Sequence, residues 1–119
     1  MLLDTGSPDL WVYSEQGCQK SQQCPPRDSY YKEGLSKDYK EHPELGEFLA
    51  SFALGAVQGE LAEDRVCLGR NDTGDATTGS SGCIANPIKF LKVNNATQMD
   101  NYQCSGFVGL APKTSMDGY

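Results

Sequence analysis

A chain of 119 residues amounts to one small domain or one lobe of a larger protein. Ten Lys and Arg against sixteen Asp and Glu leave a net charge of -6, which excludes the basic footprint that nucleic-acid binding requires. Thirteen glycines and six prolines beside 38% hydrophobic residues point to short strands and turns around a thin core, and no apolar run approaches the ~18 residues of a membrane span.

In chain order, Leu2-Leu3 read as the end of an apolar strand running into Asp4-Thr5-Gly6-Ser7, and Leu10-Trp11-Val12 as a second short strand closed by Ser14. Residues 15–29 carry Cys18, Cys24, Pro25 and Pro26 without any period and read as a loop. Residues 30–45 are polar, and His42-Pro43 marks a turn. Segments 47–52 and 60–68 read as the two strands of a β-hairpin, with Gly55 and Gly59 in the turn between them. The Asn, Asp, Thr, Gly and Ser of 70–82 form a low-complexity insert, expected as an exposed loop. Segment 88–93 is a further strand, and 106–111 is an apolar run bracketed by glycines. No helix longer than a turn or two is expected, so the fold class is all-β.

Five cysteines and the sequons Asn71-Asp72-Thr73 and Asn95-Ala96-Thr97 read as the chemistry of an oxidising, secretory compartment. Asn71 and Asn95 are the candidate glycosylation sites. No basic segment, apolar stretch or cleavage site of a signal peptide opens the chain, so a preceding segment is expected to be missing. Cys67, Cys83 and Cys104 lack the Cys-x-x-Cys spacing of a zinc site, and one disulfide among them is expected. His42, the single histidine, reads as a solvated loop residue, and Tyr30 and Tyr31 as packing residues.

The reactive chemistry sits at Asp4. A carboxylate that activates water must be held in place and partly desolvated. A buried strand delivers it, a glycine turn brings backbone amides to its oxygens, and the hydroxyls of Thr5 and Ser7 can orient it. A second copy of the motif, Asp72-Thr73-Gly74, has no apolar strand before it and reads as a decoy within the insert.

The segment from Leu2 to Ser14, with Asp4-Thr5-Gly6-Ser7-Pro8-Asp9-Leu10-Trp11-Val12 at its centre, resembles the first active-site segment of pepsin-like aspartic proteases. Four later features follow that family's order. Cys18 and Cys24 resemble its small disulfide loop, and Ser36-Lys37-Asp38-Tyr39 its turn before the flap. Residues 51–59 resemble the flap hairpin, with 64–69 as its return strand. Residues 105–111 resemble the segment that packs beneath the catalytic loop. Nearly the whole chain is covered except 70–82.

The resemblance implies one partial N-terminal lobe of a two-lobed endopeptidase over 1–119, with the C-terminal lobe and its second catalytic Asp missing. Asp4 is then the catalytic acid/base, supported by Thr5, Gly6 and Ser7. Phe52 and Gly55 belong to the flap, and Trp11 serves both core and substrate pocket. A Cys18–Cys24 disulfide is implied, as are an extended peptide or protein substrate, neither metal nor organic cofactor, and a secreted or lysosomal/vacuolar location. The chain by itself is expected to be inactive. Phe52 stands where the family carries a tyrosine, Ala53 replaces a flap glycine, and Ser105 stands where an Asp is common. Two rival readings are a homodimeric retroviral-type protease and an inactive lobe that binds peptides or proteins without cutting them.

Overall fold

The computed structural model describes residues 1–52, 55–67, 86–100 and 102–111. Among the described residues seven strands build one mixed sheet: β1 (Leu2–Asp4), β2 (Leu10–Tyr13), β3 (Lys40–Glu41), β4 (Glu47–Ser51), β5 (Ala56–Asp64), β6 (Ile88–Thr97) and β7 (Gly106–Gly109). Their order is β1-β7-β2-β6-β5-β3, and β4 also pairs with β5. The fold is a small all-β lobe, as expected.

Alternation along the strands decides which face is core. Trp11 and Tyr13 of β2 are buried while Leu10 and Val12 are half-buried on the other face. Trp11 and Phe107 stack at 4.8 Å between ring centroids, and Tyr13 meets Trp11 edge-on at 5.1 Å, both within the range of favourable aromatic pairs. Cys18, Val57, Leu61, Leu91, Val93 and Met99 pack into the same core.

The hairpin forms as β4 against β5, with Glu47 opposite Glu60 and Ser51 opposite Ala56. Its second strand starts four residues earlier than the sequence suggests, and Gly59 lies inside it rather than in the turn. The register with β6 shifts between Gln58 and Gly59, and a Cβ on Gly59 would come within 2.0 Å of the Lys92 carbonyl oxygen. Gly59 therefore serves a close backbone approach at a bulge. Strand β6 runs on to Thr97, past the expected Val93.

Residues 15–29 are not all loop: α1 spans Glu15–Ser21. Ser14 caps it by accepting the Gly17 N–H at 3.0 Å, Glu15 and Lys20 complement its dipole, and Gln22 ends it in the left-handed region at φ 56°. Seven residues with only Cys18 buried carry no readable apolar period, which is why this helix escapes the sequence pattern. Cys18 and Cys24 form the expected disulfide. Cys67 is disulfide-bonded as well, whereas Cys104 is a free, half-buried thiol. The insert 70–82, with Asn71 and the decoy Asp72, lies outside the described residues.

His42 is a correction. Its ring is buried, with Nδ1 3.0 Å from Glu44 Oε1 and Nε2 2.8 Å from Glu63 Oε1. The 3-10 turn Pro43–Leu45 folds back along β5, and the His42 backbone N–H donates to the Leu61 carbonyl at 3.1 Å. The residue that reads as a solvated turn is thus a clamp between β3 and the hairpin.

Arg27 ties the disulfide loop to the approach to β7. Its guanidinium donates to the carbonyls of Pro26, Met99, Tyr102 and Cys104, and lies over the Tyr13 ring at 5.6 Å. Hydrogen bonds from a charged donor are worth ~1.5–3 kcal/mol each and do not add fully. Because a lysine offers a point charge and no planar fork, Arg27→Lys should cost about 2–3 kcal/mol in urea denaturation and speed amide exchange over 99–104.

Three phenols set an alkaline limit. Burial pushes Tyr13 up to about 12 despite the opposing Arg27 charge. Burial and donation to Asp64 raise Tyr31 further, and burial and donation to Glu41 raise Tyr39. A raised phenol contributes stability that is fully present below its unfolded value of ~10 and is lost as pH rises through the folded value. The urea midpoint should therefore hold up to about pH 10 and fall steadily towards pH 12, with Tyr31→Phe flattening part of the fall.

Candidate active site

Strands β1 and β2 are neighbours in sequence but not in the sheet, because β7 lies between them, parallel to β1 and antiparallel to β2. The connection 5–9 must therefore arch over the end of β7. Three backbone bonds fasten it there: Gly109 N–H to Asp9 C=O at 2.9 Å, Leu110 N–H to Asp4 C=O at 2.7 Å, and Ala111 N–H to Ser7 C=O at 3.1 Å. No side chain fits between the arch and the strand. A Cβ on Gly109 would lie 2.4 Å from Asp9 N and 2.5 Å from Ser7 O, and one on Gly106 would lie 2.2 Å from Trp11 O. This close approach is the physical reason for the glycines that bracket the apolar run.

The arch holds Asp4 at the tip of β1. The Gly6 N–H donates to Oδ1 at 2.9 Å and the Ser7 hydroxyl to Oδ2 at 2.7 Å. One donor per oxygen fixes the plane of the carboxylate and leaves further lone pairs for water or substrate, since a carboxylate offers about four acceptor positions. Ser7 is buried, Asp4 half-buried, and Thr5 and Gly6 are exposed. Of the three expected supports, Gly6 and Ser7 therefore touch the carboxylate. Thr5 makes no hydrogen bond to it.

A cavity of about 380 Å³ opens in front of Asp4, lined by Leu2, Gly6, Ser7, Ser51, Phe52, Tyr102 and Phe107. Ser51 and Phe52 come from the hairpin, where the Phe52 N–H donates to the Gly55 carbonyl at 2.7 Å. The Phe52 ring lies 5.1 Å from Phe107, and Tyr102 meets Phe107 edge-on at 5.3 Å. One wall is thus aromatic and the other carries the carboxylate.

Trp11 is wholly buried beneath Phe52 and Phe107 and does not line the cavity. Its indole N–H finds no acceptor among the described residues, as expected where Phe52 brings a ring without a hydroxyl. Gly55 also stands off the lining. A Cβ there would come within 2.4 Å of the Thr97 carbonyl, so its role is to let the hairpin pack on the end of β6. Tyr102 and Phe107 were not anticipated as lining residues. The Gly-x-x-Gly bracket marks the strand that carries Phe107, but no local pattern marks Tyr102.

A family model described as eukaryotic aspartyl protease matches residues 1–116 of the chain. A search of curated proteins finds no match.

The arch yields a direct test. Overpacking costs ~1–3 kcal/mol, towards the upper end where the clash is with backbone, so Gly109→Ala should destabilise the protein by about 3 kcal/mol. Gly34→Ala, where a Cβ meets nothing within 4 Å, should change the same urea midpoint little.

Proposed function

The chain belongs to the eukaryotic aspartyl protease family, and on that premise we propose that Asp4 is one of two carboxylates that activate water to hydrolyse a peptide bond. The observation that carries this reading is the two-point hold on Asp4 by Gly6 and Ser7 at the mouth of a cleft with an aromatic wall. The second carboxylate comes from a second lobe. Two carboxylates at contact distance cannot both ionise cheaply and share one proton, the arrangement described for aspartic proteases. The ionised member takes a proton from water as the oxygen attacks the carbonyl carbon, while the protonated member donates to the carbonyl oxygen. Collapse of the tetrahedral intermediate then breaks the C–N bond: the carboxyl that took the water's proton passes it to the departing amine, and a hydroxyl of the intermediate returns a proton to the other carboxylate. No covalent enzyme intermediate forms.

Exposed apolar residues around Asp4 support a covering lobe: Leu3, before it on β1, is 66% exposed, and Leu110, just past β7 and bonded through its N–H to the Asp4 carbonyl, is 54% exposed. Apolar surface gathered beside a reactive group marks an interaction face. The substrate lies extended between the hairpin and Asp4, with an apolar side chain against Phe52, Tyr102 and Phe107. The Cys18–Cys24 bridge supports an oxidising compartment, so the protein works in the secretory pathway, secreted or delivered to lysosome or vacuole.

Peptide-cleavage assays of the full-length protein test this. General acid–base groups contribute ~10²–10⁴-fold, so Asp4→Asn should reduce kcat at least a thousandfold. Ser7→Ala removes one of two orienting donors and should reduce it about tenfold, the equivalent of ~1.4 kcal/mol. Asp72→Asn should leave it unchanged. Activity that survives Asp4→Asn would sink the enzyme reading in favour of a peptide-binding lobe.

A further inference from the structure

A second cavity, about 470 Å³, lies between α1 and the strands β4, β5 and β6, and shares no lining residue with the cleft at Asp4. Asn95 of the sequon Asn95-Ala96-Thr97 lines it. We propose that Asn95 carries an N-linked oligosaccharide and that its first sugar seats in this groove.

The strand at Asn95 is paired on both edges while the Asn95 side chain is idle. On one edge it pairs with Gln58 of β5, and on the other it bridges to Gln23, next to the Ala96 N–H bond to the Gln23 carbonyl at 3.0 Å. Among the described residues no hydrogen bond uses the Asn95 carboxamide or the Thr97 hydroxyl. Modifying Asn95 therefore breaks no internal bond. Its neighbours are already committed: the Ser21 hydroxyl donates to the Asn94 carbonyl, and Lys92 contacts Tyr39, Glu41 and Glu33. Two residues apart on an extended strand, Asn95 and Thr97 project from the same face, so the acceptor amide and the hydroxyl a sequon needs are presented together.

The groove suits a sugar. Gln16, Lys20, Glu47, Gln58 and Glu60 bring donors and acceptors of both signs to its walls, which matches hydroxyl and acetamido groups. Its volume falls in the ~300–1,000 Å³ range of small-molecule sites. In the transfer, the Asn95 Nδ2 attacks the anomeric carbon of an oligosaccharide linked to a lipid pyrophosphate. The N–C bond forms, the C–O bond to phosphate breaks, the lipid pyrophosphate leaves, and the amide gives up one proton. The inference rests on the proposed secretory location and is independent of the catalytic reading.

The experiment uses the full-length protein secreted from a eukaryotic host. Enzymatic deglycosylation in heavy-oxygen water, followed by peptide mass spectrometry, should convert Asn95 to labelled aspartate. Thr97→Val should abolish the label, and Thr97→Ser should keep it. Because the seated sugar must leave the groove before the amidase reaches it, release should be at least ~10-fold slower from native than from denatured protein. A bare Asn95 in molecules whose Cys18–Cys24 bridge is oxidised in the same digest overturns the proposal without touching the compartment reading. Equal release from native and denatured protein overturns the seat in the groove.

Discussion

Everything at the candidate active site depends on β7 lying between β1 and β2. Because that strand pairs with both, the short connection from Asp4 to Leu10 cannot close as a hairpin and must span the end of a third strand. The span turns its carbonyls onto the N–H groups of Gly109, Leu110 and Ala111, so the backbone of the arch is satisfied from below. With the arch held there, Gly6 and Ser7 have their donors turned to Asp4 at almost no further conformational cost. The carboxylate is oriented by backbone topology before any substrate arrives.

The same insertion builds the cleft wall. Phe107 lies opposite Leu2 on one side and Trp11 on the other, so the ring that anchors the core also faces the cavity beside Asp4. Trp11 supports it from beneath, and Phe52 reaches it from the hairpin. Core packing and site shape are therefore coupled, and a change at Trp11 would move the wall without touching the cavity. The Arg27 guanidinium stabilises the approach to this strand by collecting the carbonyls of Met99, Tyr102 and Cys104. Tyr102, the outer edge of the wall, is thereby held from behind.

Polar clamps hold the periphery where apolar area is thin. His42 sits between two glutamates at the β3 edge, and Tyr31 and Ser36 both donate to Asp64 where β5 ends. Such groups are costly to bury alone and are kept by their partners. Their side chains carry charge and hydroxyls into places a composition-based reading assigns to solvent, which explains why His42 looked like a loop residue.

The sequence by itself determined the elements whose signals are local. A short apolar run marked β2, two extended segments with glycines between them marked the hairpin, the glycine bracket marked β7, and the run Leu2-Leu3-Asp4-Thr5-Gly6 marked the carboxylate, because strand and turn signals act over a few neighbouring residues. The small α1 was missed since one buried residue makes no period, and Gly59 was misplaced since a glycine at a bulge looks like a glycine in a turn. Only the tertiary structure decided that Thr5 is not among the donors to Asp4, that Trp11 lies under the wall rather than in it, and that Arg27, His42 and Tyr102 matter. The stack of Trp11 on Phe107, the Arg27 bonds to Tyr102 and Cys104, and the His42–Glu63 pair are contacts between residues far apart in the chain, formed only when the strands meet in the sheet. No local pattern encodes such a meeting, because its energy resides in the packing and hydrogen bonds that exist only once the strands are assembled.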